Sequence, residues 1–506
     1  MINVLQMLEH TAKRLPQKVA VADPKDSLTF QQLRNIAQVV GSWLVANDVR
    51  PRTAVAFYLE KSALAWASML GAVYAGGFYS VIDVRQPKNR VEQMVGALQP
   101  TVVLTDAEHL EQASELFGGS GCCIACIEEV AKGAVDERAL EAIRLQACDV
   151  DPLYANFTSG STGTPKAFVA SHRSVLDWTK VFTKTFGIDE TDIMGNQAPF
   201  DFDVSNKDVY TSLLTGATVQ IIPRQYFSNP TQLMDYLCER EVTTLCWAVS
   251  AMCFVSIMGG FDYRVPTTIR RVLFSGETMP PKQLRIWQKH VPDAVYANLY
   301  GPSEITCNCT YFIVDRPYGD DELIPIGKPF ANERVFLLNE RDEEVRTPDE
   351  VGELCVAGTC LVMGYLNSPE RTAKAFVQNP TNDRWIDPIY RTGDLARYDE
   401  CGNLVYISRK DHQIKHLGQR IELGDIEAAA QGVDGVDRAC CLYDSRRKRL
   451  ILFYVGSIER KALKATLRDR LPQFMVPNNT KQIEEMPLSK NGKIDRAVLA
   501  EAARIR

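Results

Sequence analysis

Apolar residues fall along this chain in short blocks whose lengths alternate between strand and helix. Val4 to Leu15 reads as an opening helix, and Val19-Ala-Val-Ala22 as a short strand. Leu28-Thr-Phe30 precedes a helix from Gln31 to about Asn47, and Ala54-Val-Ala-Phe57 is again strand-like. From Ala63 to Ile82 there is no charge at all, nearly enough to cross a bilayer. Gly71, Gly76, Gly77, two serines and two tyrosines interrupt that run, so a buried helix followed by a strand is predicted instead. Thr101-Val-Val-Leu-Thr105, Ala217 to Ile222, Thr243 to Trp247, Arg271 to Phe274 and Val295 to Leu299 continue as strand candidates. Such alternation predicts an α/β architecture with a parallel sheet.

Beyond about Leu323 the pattern changes to short strands and turns, including Arg334 to Leu338 and Gly352 to Ala357, which predicts a small β subdomain. From Asp411 to Arg506 a last unit carries strands around 438–444 and 450–455. It also has a helix with Leu463, Leu467 and Leu471 at i, i+4 and i+8. The expected organisation is therefore a large N-terminal α/β region with a small β subdomain, residues 1–410, and a small C-terminal α+β domain, residues 411–506. No internal repeat or low-complexity linker divides it.

Composition narrows the classes. At 506 residues the chain needs more than one core, and its 45% apolar and 24% charged residues are ordinary for a globular enzyme. A net charge of −6 gives no electrostatic footprint for nucleic acid. Met1-Ile-Asn-Val-Leu5 is not the start of a secretory signal, so the 14 cysteines are expected as reduced thiols in a cytoplasm. Cys123-Ile-Ala-Cys126 is a single CxxC with no second pair at zinc spacing.

Several stretches could carry chemistry. Thr158-Ser-Gly-Ser-Thr-Gly-Thr-Pro-Lys166 packs hydroxyls and glycines before a lysine. Its backbone N–H groups, hydroxyls and lysine could cradle phosphate oxygens, or the run could be a plain turn. It is not a P-loop, because Ala167 follows the lysine. Tyr300-Gly-Pro-Ser-Glu304 would present Glu304 after a Gly-Pro turn as a hard oxygen ligand for Mg²⁺, or as a solvated glutamate. Tyr390-Arg-Thr-Gly-Asp394 reads as a carboxylate after a glycine turn, able to accept both hydroxyls of a ribose. Tyr406 to Glu422 is dense in basic residues, a solvated face or a phosphate patch. Pro487-Leu-Ser-Lys-Asn-Gly-Lys493 places a lysine on an Asn-Gly turn, where it could swing into a distant site.

Taken in order, these five stretches resemble the adenylate-forming superfamily from end to end. Phe202-Asp203-Val204-Ser205 is similar to the FDxS signature of its amino-acid adenylation enzymes. Together with Leu273-Phe-Ser-Gly-Glu-Thr278, the chain length and the lack of a condensation or carrier domain, it most resembles stand-alone D-alanine–carrier protein ligases. The resemblance implies ATP and Mg²⁺ as cofactors and a mobile C-terminal domain hinged near Asp411. The amino acid would become an aminoacyl-adenylate and pass to the phosphopantetheine thiol of a carrier protein. It further implies that Thr158, Ser159, Gly160, Ser161, Thr162, Gly163 and Lys166 close on the phosphates. Gly301, Pro302 and Ser303 would carry Glu304 to the metal, and Asp394 and Arg409 would grip the ribose. Asn298, Tyr300 and Tyr406 would lie near the adenosine, and Lys493 would bridge carboxylate and α-phosphate. Gly418 would border the pantetheine tunnel.

Asp203 is implied to pair with the substrate's α-ammonium, in a pocket with Val204, Lys207, Ser275 and Cys307. Three positions depart from the pattern. Ser303 replaces a threonine, Ser275 stands where those ligases commonly have cysteine, and Lys207 replaces an apolar residue. If Asp203 begins a helix, Lys207 lies at i+4 on its face. Lys207 could then fold back on Asp203 or reach water, which suits D-alanine, or point inward and select a polar or acidic side chain. An acyl-CoA ligase, a peptide-synthetase loader for another amino acid and a non-enzymatic adenylate-binding protein are the alternatives. Asp203 argues against the first, and the presence of Lys493 and Glu304 against the last.

Overall fold

The computed structural model describes residues 1–158, 165–348, 350–410, 413–488 and 494–505, without the side chain of Ala497. The chain forms two compact units. One comprises Met1–Val84, Leu98–Asn156 and Ala167–Lys410. The other comprises Arg85–Ala97, Phe157–Lys166 and Asp411–Arg506.

Two sheets dominate the first unit. Val19–Ala22, Thr218–Ile221, Ile193–Asn196, Thr244–Ala248, Arg271–Ser275 and Val295–Tyr300 run parallel as neighbours in that order. Antiparallel strands at each end bring this sheet to nine. The second sheet has six strands, ordered Cys123–Cys126, Val102–Thr105, Ala54–Tyr58, Phe78–Ile82, Pro152–Thr158 and Lys166–Ser171. Central strands such as Ala54–Tyr58 and Phe78–Ile82 are buried at every position, as strands covered on both faces must be. The uncharged run splits as its glycines dictate, into the helix Ala63–Tyr74 and the strand Phe78–Ile82. Gly76 takes φ +76° at the join, and a Cβ on Gly77 would stand 2.9 Å from the Thr53 carbonyl oxygen. Among the described residues no helix is long and apolar enough to cross a membrane.

The predicted β subdomain is an antiparallel sheet of Glu333–Leu338, Gly352–Gly358, Pro388–Tyr398, Phe376–Gln378 and Leu404–Arg409. In the second unit, Val436–Asp444, Arg449–Gly456 and Asn479–Gln482 form a three-stranded sheet over the helices Leu423–Gln431 and Arg460–Arg470. Leu463 and Leu467 are fully buried there, while Leu471 falls just past the helix end as its cap.

Candidate active site

The first unit brings two groups of the expected residues together around one loop. Parallel sheets offer ligands a crevice beyond the carboxyl ends of their strands. Here that end is supplied by Arg271–Ser275 and Val295–Tyr300, whose last residues include Ser275, Asn298 and Tyr300. The chain then turns through Gly301 and Pro302 into a short 3₁₀ turn, Ser303–Ile305. A Cβ on Gly301 would lie 2.5 Å from Asn308 Cα and 2.6 Å from the Cys307 carbonyl oxygen, so only glycine allows this closeness. Thr306 and Cys307 follow with φ of 55° and 73°, a conformation costly for residues with a Cβ. Two bonds hold it. Thr306 Oγ1 donates to the Cys360 carbonyl at 2.8 Å, and Cys307 Sγ donates to the Asp203 carbonyl at 3.0 Å.

On one side of the loop stand Tyr300, Asp394 and Arg409. Asp394 and Arg409 lie directly opposite each other in an antiparallel pair, the register at which cross-strand side chains meet. Arg409 Nη1 donates to Asp394 Oδ1 at 2.7 Å, and the Tyr300 hydroxyl donates to Oδ2. Asp394 is 2% exposed. Burial and the neighbouring carboxylate push the Tyr300 hydroxyl well above its usual pKa, so it remains a donor. The expectation of a glycine turn before Asp394 is corrected. Tyr390 to Asp394 lies inside the strand Pro388–Tyr398, where the register against Gly352–Gly358 shifts and Gly393 takes φ +73°. Asn298 spends its amide on the Pro325 carbonyl at 2.9 Å, and Tyr406 is half-buried on the strand carrying Arg409.

Glu304 is 0% exposed and accepts a 2.8 Å hydrogen bond from the Tyr365 hydroxyl, so it is not a solvated glutamate. Across the loop, Asp203 opens a 3₁₀ turn, Asp203–Ser205, rather than the α-helix itself, which begins at Asn206. Its carboxyl is pushed up by burial, opposed by the Lys207 charge and a Ser303 hydrogen bond. Val204 is half-buried beside it, and Cys307 is buried with its thiol pushed well up by burial. Lys207 is 1% exposed and does not reach water. Its Nζ donates to Ser275 Oγ at 3.0 Å.

Sequence reasoning missed a second, half-buried cation. Lys61 Nζ donates to the Asn196 carbonyl at 3.1 Å, to Asn196 Oδ1 at 3.0 Å and to the Gln197 carbonyl at 2.9 Å. Asn196 Nδ2 in turn donates to Asp208 Oδ2 at 2.8 Å. Burial pulls Lys61 down to about 7 and pushes Asp208 up to about 7. The clue in the sequence was Lys207-Asp208 at the head of a helix otherwise buried through Leu213. Tyr365 carried no signal, being an isolated tyrosine 61 residues from Glu304.

Thr158, Lys166 and Gly418 lie in the second unit. Thr158 Oγ1 approaches the Lys166 carbonyl at 3.5 Å, and Gly418 turns between Gln413–His416 and Gln419–Glu422 with φ +78°. Ser159, Gly160, Ser161, Thr162, Gly163, Asp411 and Lys493 lie outside the described residues. No group of three or more His, Cys, Asp or Glu that could hold a metal occurs among the described residues.

A parallel sheet ending in a glycine-turned carboxylate loop, beside a buried Asp–Arg–Tyr network, is the arrangement of an adenylate-forming protein. The chain belongs to the AMP-binding enzyme family, whose model matches residues 8–366. With tyrocidine synthase 1 of Brevibacillus parabrevis it shares 29% identity over 506 aligned residues, covering 99% of this chain and 45% of that protein. It is 30% identical over 507 aligned residues to bacitracin synthase 1 of Bacillus licheniformis, covering 99% of this chain and 9% of the relative. The chain thus spans less than half the length of either curated relative. Among solved structures, holo-PA1221, an NRPS protein containing adenylation and PCP domains bound to a vinylsulfonamide inhibitor, superimposes with a TM-score of 0.84 at 25% identity. The match covers 99% of this chain and 84% of that one.

Proposed function

We propose that this protein activates an amino acid with ATP as an aminoacyl-adenylate and transfers it to the phosphopantetheine thiol of a carrier protein. The observation that carries this reading is Asp203, a buried carboxylate held between a 3₁₀ turn and the loop bearing Glu304. A carboxylate there suits an ammonium and repels the apolar chain of a fatty acid. In the first half-reaction a substrate carboxylate oxygen attacks the α-phosphorus of ATP, and the bond to the bridging oxygen breaks to release pyrophosphate. In the second, the thiol sulfur attacks the acyl carbon, its proton goes to solvent, and AMP leaves.

Asp394 and Arg409, braced by Tyr300, would hold the ribose, with Asn298 and Tyr406 beside the adenosine. Glu304 fits a Mg²⁺ ligand in one respect, because a fully buried carboxylate gains from a cation that phosphate oxygens also bind. The metal would supply charge neutralisation at the phosphates. By the same reading the hydroxyls and lysine of the Thr158–Lys166 motif would bind phosphate oxygens. Lys493 would supply a cation at the α-phosphate, Asp411 would mark the boundary between residues 1–410 and 411–506, and Gly418 would border the thiol's path. The 14 cysteines are all free, in keeping with a reducing cytoplasm as the site of action. D-alanine is the amino acid that the motif pattern implies, and the peptide-synthase relatives leave that choice open. That choice requires Lys207 to turn to water or to be neutralised by Asp203.

Replacing Asp203 by alanine tests the assignment. The lost charge-assisted bond of about 1.5–3 kcal/mol predicts a KM for the amino acid raised roughly 10–100-fold, with that for ATP nearly unchanged. Activation of propionate as readily as any amino acid by the unmodified enzyme would sink the reading.

A further inference from the structure

We propose that the preferred substrate is an α-amino acid with an anionic side chain, held by Lys207 and Ser275; this rests on the adenylation reading given above. Lys207 and Ser275 are 68 residues apart in sequence, on the helix Asn206–Thr215 and at the end of the strand Arg271–Ser275. The tertiary fold joins them by a single hydrogen bond of 3.0 Å, and both are buried. They form one feature.

The charges around Lys207 decide what that feature binds. Among the described residues its ammonium makes one hydrogen bond, to a neutral hydroxyl, and it is 1% exposed. A buried ammonium needs a countercharge and acceptors for all three protons. Two carboxylates feel its charge from within the site, Asp203 and Asp208. Asp208 is bonded through Oδ2 to Asn196 and shares its charge between Lys61 and Lys207, while its buried Oδ1 makes no hydrogen bond, to Lys207 or to any other described residue. Asp203 is the carboxylate assigned to the substrate's α-ammonium. When an amino acid with a neutral side chain binds, its ammonium takes Asp203, and Lys207 is left as a second buried cation beside it. An acidic side chain removes the conflict: Asp203 answers the substrate's ammonium, and the side-chain carboxylate answers Lys207. Ser275 accepts from Lys207, so its own proton is available to donate to the same carboxylate. Ammonium and hydroxyl then form a two-donor site of the kind that recognises a carboxylate.

The test is ATP–pyrophosphate exchange by the full chain with L- and D-aspartate, glutamate, asparagine, glutamine and alanine as the probes. Expected is a kcat/KM for an acidic amino acid on the order of 10²–10³-fold above that for its amide and for alanine of either hand. Lys207→Met should remove that advantage while leaving the KM for ATP within a few-fold. Should Lys207→Met prove unfolded by circular dichroism, Ser275→Ala serves instead, with the preference narrowed about tenfold. A best rate with alanine, an amide or another neutral amino acid overturns the proposal and leaves amino-acid adenylation standing. Exchange with no amino acid at all, but with a plain carboxylic acid, overturns both.

Discussion

Tyr300→Phe tests the proposed division of the site into a nucleotide side and an amino-acid side with the smallest possible change. Phenylalanine keeps the ring in its buried place and deletes only the hydroxyl that donates to Asp394. A hydrogen bond to a charged group is worth about 1.5–3 kcal/mol. Asp394 keeps its 2.7 Å bond from Arg409, so the loss should fall at the low end, about 1.5 kcal/mol in urea unfolding. If the network grips the ribose, roughly 1 kcal/mol of the loss should appear in ATP binding, raising its KM about fivefold. The KM for the amino acid should stay within about twofold. Asp394→Asn provides the upper bound, since it sets a neutral amide against the Arg409 guanidinium at a cost of about 3–5 kcal/mol. Exchange kinetics with each substrate varied in turn, beside denaturation curves, give all four numbers. A Tyr300→Phe enzyme less stable but unchanged in KM for ATP would reduce the network to a structural brace. An equal rise in both KM values would refute the division of the site.

Three further outcomes follow from the same geometry. Glu304→Gln should lower exchange by about 10²–10³-fold with the melting temperature nearly preserved, because the amide still accepts from Tyr365; full activity would remove Glu304 from the machinery. Gly301→Ala must push its new Cβ into Asn308 Cα and the Cys307 carbonyl, costing about 1–3 kcal/mol and displacing the loop between both half-sites; unchanged kinetics and stability would contradict the packing. His172 is buried, accepts from the Val4 N–H, and is pulled by burial from 6.5 to about 4. The unfolded chain therefore binds the extra proton first, so the stability His172 contributes is complete above pH 6.5 and is lost as pH falls towards 4, by about 3 kcal/mol in all. His172→Gln should flatten that part of the stability profile, as followed by urea unfolding between about pH 4 and 7.

Much of the fold was legible because parallel strands buried on both faces are continuous apolar blocks, and Val19–Ala22, Ala54–Tyr58 and the 272–274 centre of Arg271–Ser275 are such blocks. Gly76 and Gly77 marked the break in the uncharged run because only glycine fits there. The same reasoning misread Gly393, since a glycine in a bulge and a glycine in a turn look alike until the partner strands are known. Asp203 and Lys207 were legible as a pair through their spacing, but the partner that decides the direction of Lys207 is Ser275, on another strand. The Lys61–Asn196–Asp208 cluster was illegible for the same reason, as its members meet only across 135 and 12 residues of chain. Local periodicity writes elements, whereas ion-pair geometry is written by tertiary register.

Pyrophosphate exchange into ATP, measured over amino acids of both hands beside the same acids lacking the α-amine, tests the central claim most directly. The account predicts that exchange requires the α-amine, with the deaminated acid at least about tenfold poorer in kcat/KM than its amino counterpart. Equal exchange with and without the amine would mean that Asp203 does not read the substrate, and that the chain is an acyl-activating enzyme of another kind.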